Sequence, residues 1–265
     1  MQVMFKRTKP FVPIAGQIAG ISAGLDDIRA GLLLDVDFSE NSGSAVFDQS
    51  GRRNHGIITG AVRAHDPVYG GALRFDGIDD VANFGQIADI RNISGSFTIC
   101  ALFKRTVKDA VNADAITGNW YWTSVGNNRR GGLLRYYINT DSLAFLVEVT
   151  NGVDIQELQA SVTASGLNRW YFAAGVFDAP ARKAKIYLDG VLQNTVTANT
   201  GFNQPRLDSP NTFMIGNNPT NSGYFTGSIA LGRFYGRALD DIEIRNLYHF
   251  VKQSKGMYYR RNYAG

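Results

Sequence analysis

The chain has 265 residues, 44% of them hydrophobic and 19% charged, a balance typical of a globular protein with one large β domain or two ordinary domains. Its single cysteine excludes an internal disulfide framework. The net charge of +4 is uneven, because residues 1–9 carry +3 and residues 252–265 carry +4, which leaves −3 for residues 10–251. Two basic ends on a mildly acidic body suit an acidic partner surface or nucleic acid, although two solvated tails would have the same composition.

The first predicted element is a short helical arm within residues 1–30. Its large apolar residues follow spacings of 4, 3, 4 and 3, which is a coiled-coil-like seam, and glycines form a small-residue ridge beside it. We predict that this arm anchors the chain to neighbouring subunits through Ile14, Gly16, Ile18, Gly20, Ile21, Gly24, Leu25 and Ile28. Pro13 and Gln17 disfavour a signal peptide. A membrane span is disfavoured because residues 12–25 supply only 14 uncharged positions, against about 20 needed.

Residues 31–251 predict an antiparallel β-sandwich of the jelly-roll type. Short apolar runs recur between clusters of Gly, Asn, Asp and Ser, without intervening helices, and this pattern favours an all-β fold. The pair Asp189-Gly190 lies between two such runs and is the strongest hairpin signal in the chain. We therefore expect one sandwich with no internal linker.

One clear helix is predicted to close the sandwich. Asp240 and Glu243 have the spacing of a capping box, in which each side chain bonds the other residue's backbone. The residues expected to face the sandwich are Ile242, Leu247, Phe250 and Val251. Residues 252–265 are predicted to form a basic, tyrosine-rich tail.

Six motifs follow one another in order along residues 31–250. They read LLLDVDFSENSGSAVFDQSGRRNHGIITG, GALRFDGIDDVANFG, FTICALFKR, RWYFAAGVFD, KIYLDGVLQNT and GSIALGRFYGRALDDIEIRNLY. Together they resemble the laminin G-like, concanavalin A-like sandwich family. The resemblance implies two curved antiparallel sheets, with glycan or protein ligands held on the concave face or on rim loops. It leaves the function open, because one sandwich hosts binding modules, enzymes and structural proteins alike.

The resemblance also implies calcium sites in many members, built from carboxylates and loop carbonyls. Asp48, Asp79 and Asp80 match acidic positions of the family's motifs. The closing motif of the family usually reads Gly-x-Ile-Asp-Glu, whereas residues 227–231 read GSIAL here, so that a carboxylate is missing. No histidine has a second imidazole or a cysteine at ligand spacing. We predict no cofactor and no conventional metal site.

The sequence also lacks the usual signs of hydrolase chemistry. Some relatives of the family are β-glucanases, which place catalytic carboxylates at alternate positions of one strand, and no Glu-x-Asp-x-Glu array occurs here. Glu148, Asp154 and Glu157 are predicted to be solvated surface acids. The Gly-x-Ser-x-Gly pattern at residues 20–24 lacks the α/β surroundings that a nucleophile elbow requires. We predict that the protein is not an enzyme.

A ligand-binding rim is predicted in the stretch GNWYWTSVGNNRRGG. Aromatic and arginine side chains concentrate around a turn there, where they suit sugar stacking or contact with a protein. The residues are Trp120, Tyr121, Trp122, Arg129 and Arg130. The alternative is that the tryptophans fill the core of the sandwich.

These features favour a non-catalytic bacteriophage virion protein, either a capsid decoration or a tail component. The expected partners are other virion or assembly subunits, bound through the N-terminal arm, together with surface glycans. We expect a homo-oligomer or a larger assembly, located in the virion and without a membrane span. The alternative is a stand-alone extracellular lectin or adhesion module.

Overall fold

The computed structural model describes residues 28–40, 42–67, 69–107, 114–123, 128–218 and 223–262. Two antiparallel β-sheets, called here sheet A and sheet B, pack face to face. The predicted all-β sandwich with few helices is confirmed. The predicted N-terminal arm lies outside the described residues except for its last three positions.

In the described residues, eight strands form sheet A. They are β1 (Leu32–Val36), β4 (Val62–Asp66), β5 (Gly70–Asp76), β7 (Phe97–Arg105), β14 (Trp170–Asp178), β15 (Lys183–Leu188), β16 (Val191–Thr197) and β19 (Thr226–Tyr235). Their order is β16-β15-β14-β7-β19-β5-β4, and β1 pairs with the C-terminal half of β19. Asp189 and Gly190 join β15 to β16 with positive φ angles of 51° and 81°, so the predicted hairpin is confirmed.

Nine strands of the described chain form sheet B. They are β2 (Ala45–Val46), β3 (Gly56–Thr59), β6 (Val81–Asn83), β8 (Asp114–Gly118), β11 (Gly132–Tyr137), β12 (Ser142–Thr150), β13 (Ile155–Thr163), β17 (Gln204–Pro205) and β18 (Met214–Ile215). Their order is β13-β12-β11-β8-β18-β6-β3-β2, with β17 paired to β12. A separate hairpin consists of β9 (Tyr121–Thr123) and β10 (Asn128–Arg130). The short helices are α1 (Ala88–Arg91) and a 3-10 turn (Ile138–Thr140).

Alternate residues of the central strands fill the space between the sheets. On β7, Phe97 and Phe103 point into this core, while Cys100 and Leu102 point to the opposite face of sheet A. Both faces of the strand are buried, which explains its almost continuous apolar sequence. Gly175 on β14 leaves room for the ring of Phe145 on β12, because a Cβ atom there would lie 2.2 Å from the ring.

A long helix, α2 (Asp241–Asn262), covers the outer face of sheet A. The predicted capping box is confirmed, since Asp240 Oδ1 accepts from the backbone N–H of Glu243 at 2.8 Å and Glu243 Oε2 accepts from that of Asp240 at 2.9 Å. The helix buries Ile244 rather than Ile242, which is 58% exposed, so the predicted inward position of Ile242 was wrong. The helix also continues to Asn262, well into the segment predicted as a tail.

Side chains join the terminal strands of the two sheets on both open sides of the sandwich. On one side, Arg63 of β4 donates to the carbonyl oxygens of Gly43 and Ala45, at 2.9 and 2.5 Å, and so joins sheet A to the β2 edge of sheet B. On the other side, Asn194 of β16 donates to the carbonyl oxygen of Ser161 on β13 at 3.1 Å. We call these contacts the edge clips.

Candidate functional site

The two sheets differ in what covers their outer faces. On sheet A, Leu247 and Val251 of α2 are buried against strand residues such as Leu102. On sheet B, the residues that alternate with the core form a small apolar cluster instead. Its members are Ala115, Trp120, Leu133, Ala144 and Leu146. These five residues are at most 4% exposed, so this part of the outer face of sheet B is covered as well, and the polar groups beside the β9–β10 hairpin are what it presents outward.

The β9–β10 hairpin is attached to this outer face through Trp120. The indole is only 4% exposed, and the carbonyl oxygen of Trp120 accepts from Asn211 Nδ2 at 2.9 Å. Gly131 follows β10 with φ of +122°, and a Cβ atom there would lie 2.7 Å from the carbonyl oxygen of Asn119. Trp120 is therefore a buried anchor of the hairpin and offers no exposed face to a sugar ring.

Two ion pairs hold the arginines of the hairpin. Arg129 Nη1 lies 2.6 Å from Glu157 Oε2 on β13, the terminal strand of sheet B. Arg130 Nη1 pairs with Asp208, which follows β17. Arg129 and Arg130 retain about a third of their side-chain exposure, and the carboxylate of Asp208 is about half exposed.

Of the five residues predicted as a rim, Tyr121 and Arg130 share one face of the hairpin, whereas Arg129, the residue before Arg130 on β10, lies on the other face. Tyr121 is half-buried and lies opposite Arg130 in the hairpin register. Trp122 lies opposite Arg129, and the described part of the structure includes its backbone but not its side chain. Trp120 itself precedes β9, which begins at Tyr121.

Glu148 is a site residue that the sequence interpretation missed. It was predicted to be a solvated acid, but it is 2% exposed and faces Glu157 directly across β12 and β13. Within the described residues, Glu148 Oε2 has no hydrogen-bond partner. Burial, and after it the charge of Glu157, raises the pKa of Glu148 to about 7, while Arg129 and Arg206 act in the opposite direction. The signal in the sequence was its place in an otherwise apolar strand, SLAFLVEVT.

The predicted assembly residues fall almost entirely outside the described residues. Only Ile28 is described, and it packs in part against the apolar cluster between sheet A and α2 of its own chain. The other members of that prediction are Ile14, Gly16, Ile18, Gly20, Ile21, Gly24 and Leu25. The anchoring role of residues 1–30 remains a prediction.

An acidic cluster lies at the turn after β5. One carboxylate oxygen from each of Asp76, Asp79 and Asp80 falls within 4.8 Å of the others, and such oxygen ligands suit a hard cation such as Ca²⁺. Burial raises the pKa of Asp80, and the neighbouring charges of Asp76 and Asp79 contribute, while a hydrogen bond from the backbone N–H of Asp76 acts in the opposite direction. Asp48 lies elsewhere, where it accepts hydrogen bonds from the backbone N–H groups of Asp35, Ser50 and Asn54 and so shapes a turn.

Comparison with known proteins identifies the fold family. A family model described as the concanavalin A-like lectin/glucanases superfamily, of the laminin G type, matches residues 76–245. No curated protein sequence gives a significant match. No helix among the described residues is both long and apolar enough to cross a membrane.

Several solved structures have a similar fold at low sequence identity. The botulinum neurotoxin serotype D binding domain has a TM-score of 0.62 at 14% identity, over 85% of this chain and 52% of its own. Trypanosoma rangeli sialidase in complex with sialic acid has a TM-score of 0.60 at 16% identity, over 91% of this chain and 40% of its own. A botulinum neurotoxin type C structure, described by its interaction with two gangliosides, has a TM-score of 0.58 at 16% identity, over 86% and 53%. The chain thus spans about half of the neurotoxin chains and less of the sialidase.

Proposed function

The chain belongs to the concanavalin A-like lectin/glucanase superfamily, and we propose that it binds carbohydrate on the outer face of sheet B without hydrolysing it. The site is the polar rim of the β9–β10 hairpin, formed by Tyr121, Arg129 and Arg130 with their partners Glu157 and Asp208.

The observation that carries this proposal is that one hairpin holds an aromatic ring together with two arginines, each of which is paired with a carboxylate. Tyr121 lies opposite Arg130, and each hairpin arginine is held by a carboxylate. Aromatic rings pack against the apolar faces of sugars, while guanidinium and carboxylate groups bond to pairs of hydroxyls. The ion pairs also fix these groups before a ligand arrives, which reduces the entropy lost on binding.

The descriptions of similar proteins support carbohydrate as the ligand class. Cell entry of the type C neurotoxin depends on interaction with two ganglioside molecules, and the sialidase was solved with sialic acid. Both proteins are longer than this chain, and their identity to it is 16%. They therefore support the class of ligand and no particular sugar.

The carboxylates of the site favour binding over hydrolysis. A hydrolytic pair needs one carboxylic acid that reaches the glycosidic oxygen and a second carboxylate that faces the sugar. Glu148 is enclosed, and Glu157 is engaged by Arg129 at 2.6 Å. Neither carboxyl group is thus presented freely to a substrate on the outer face of sheet B.

Glycan-array binding with matched variants tests the proposal. Tyr121→Ala and Arg130→Ala should each weaken binding about tenfold, which corresponds to about 1.4 kcal/mol of lost contact. Arg245→Ala is the control, because Arg245 is an exposed arginine on α2, the helix on the opposite sheet. Binding that survives both hairpin variants would overturn the site.

A chelator separates the hairpin from the acidic cluster. We expect binding to be unchanged in EDTA, since the hairpin site needs no metal. Binding that is lost in EDTA and abolished by Asp79→Asn, while Tyr121→Ala leaves it intact, would assign the ligand to the acidic cluster instead.

We further propose that the protein serves in a bacteriophage virion, as a capsid decoration or tail component. The support is the predicted anchoring arm and the positive charge at both ends of the sequence. Electron microscopy of the native particle should reveal a regular array of this chain. A protein found free in the extracellular medium and active alone in glycan binding would favour the alternative, a stand-alone lectin.

A further inference from the structure

We infer that Glu148 and Glu157 compete for the guanidinium group of Arg129, so that ionisation of Glu148 repositions the β9–β10 hairpin. The position of the hairpin would then depend on whether the carboxyl group of Glu148 is protonated. This inference rests on the proposed function only where it makes the hairpin a regulated ligand site. The movement itself requires no ligand.

The three charged groups occupy the arrangement that such a competition needs. Glu148 and Glu157 are opposed residues of adjacent antiparallel strands, where Cβ atoms are about 5 Å apart. Arg129 reaches from β10 and bonds Glu157 Oε2 at 2.6 Å. Glu148 Oε2 is buried and, among the described residues, has no donor. Arg129 therefore has one carboxylate bound and a second, unsatisfied one beside it.

Glu148 is also connected to the hairpin through the backbone. Its N–H donates to the carbonyl oxygen of Gly131 at 3.3 Å, directly after β10, and its carbonyl oxygen accepts from the N–H of Arg206 at 2.8 Å. Arg206 in turn accepts from the N–H of Gly131 at 2.7 Å and donates from Nη1 to the carbonyl oxygen of Arg129 at 3.2 Å. The backbone of Glu148 and the base of the hairpin are thus joined directly, through Gly131 and Arg206.

The charges facing Glu148 come from three elements. β13 contributes Glu157, β10 contributes Arg129, and the segment after β17 contributes Arg206. On the β11 side, the backbone neighbour of Glu148 is the uncharged Gly131, whose carbonyl oxygen accepts from the Glu148 N–H. When Glu148 is protonated, it carries no charge that attracts Arg129. Arg129 then stays paired with Glu157, as in the structure. With Glu148 ionised, two carboxylates share Arg129, and its attraction to the buried Glu148 is weakened less by solvent than its attraction to Glu157.

The test is an NMR titration of the full chain without ligand, between pH 5.5 and 8.5. The ¹⁵N–¹H signals of Tyr121, Arg129 and Arg130 should shift together with a midpoint near pH 7, the value to which burial raises the pKa of Glu148. The ¹³C signal of the Glu148 carboxyl group should titrate with the same midpoint. A Glu148 carboxyl that titrates near its ordinary value, or hairpin amides that do not titrate, would overturn the inference.

Variants distinguish Glu148 from other titratable groups of the chain. Glu148→Gln should abolish the hairpin titration, whereas Asp154→Asn, which removes an exposed acid just before β13, should leave it unchanged. Glu157→Gln should lower the midpoint by about one pH unit, because it removes a like charge and frees Arg129 for Glu148. A titration that persists in Glu148→Gln would overturn the inference. These outcomes are read without any glycan, so a failure to bind carbohydrate would leave them interpretable.

Discussion

Glu148 and Glu157 stand directly opposite each other on β12 and β13, and the guanidinium group of Arg129 donates to Glu157. Like charges at opposed positions of antiparallel strands are destabilising. Burial adds a desolvation penalty for Glu148, the more buried of the two residues. The protein reduces both effects by keeping Glu148 protonated up to a pH of about 7, since its pKa is raised to that value. The stability of the sandwich should therefore depend on pH through this residue.

Glu148→Gln should stabilise the protein at pH 8. Folding raises the pKa of Glu148 from 4.5 to about 7, so its contribution to stability is full below pH 4.5 and is lost as the pH rises to about 7. At about 1.4 kcal/mol per pKa unit, the loss amounts to about 3 kcal/mol. Glutamine has no charge to desolvate, so urea unfolding should give the variant about 3 kcal/mol more stability than the wild type at pH 8, and similar stability near pH 4.5. Equal pH profiles for the two proteins would contradict the assignment.

The protein should not hydrolyse β-glucans or other polysaccharides. The carboxyl groups that face each other on sheet B are enclosed in one case and ion-paired in the other. Incubation with a polysaccharide panel and detection of reducing ends measures this directly. Turnover that disappears in Glu148→Gln would show that the enclosed carboxyl group is catalytic after all.

Trp120→Ala should destabilise the protein by about 3–5 kcal/mol, as expected for removal of a large buried aromatic side chain. Tyr121→Ala, one position along the chain, should cost less than about 1.5 kcal/mol because its ring is only half-buried. Chemical denaturation of the two variants provides the comparison. Similar losses in both would mean that Trp120 is not the anchor of the hairpin.

Deletion of residues 1–27 should leave a cooperatively folding sandwich that no longer joins an assembly. The deletion must stop before Ile28, because Ile28 packs against the cluster under α2 and the carbonyl oxygen of Ala30 accepts from Arg237 Nε at 2.7 Å. Within the longer chain, Gly20→Leu should impair assembly by blocking close approach of another backbone. Sedimentation and thermal melting measure both properties. Unchanged assembly of the truncated chain would refute the anchoring role.

Local sequence patterns predicted most of the architecture. The turn at Asp189-Gly190 and the cap formed by Asp240 and Glu243 depend on residues that are close in sequence, so their chemistry could be read directly. The alternation of apolar runs with turn residues likewise predicted the strands. The resemblance of six ordered motifs to one family supplied the sandwich.

The site itself depended on contacts that no local pattern contains. The pair Arg129–Glu157 joins residues 28 positions apart, and it forms only because β13 lies beside β12 with Glu157 opposite Glu148. For the same reason, the burial of Glu148 could not be predicted from its charge. The error at Ile242 was of another kind, because the rotation of α2 on sheet A is set by its packing, which buries Ile244.

The edge clips affect whether copies of the protein can pair through the edges of their sheets. The strand at the edge of a sheet normally has unpaired carbonyl oxygens. A β-strand of another molecule can bond to them, which extends the sheet between molecules. Arg63 already occupies the carbonyl oxygens of Gly43 and Ala45, and Asn194 occupies that of Ser161. An incoming strand would have to displace these internal donors before it could pair. Crowded copies of the protein are therefore hindered from pairing through the two edges of sheet B.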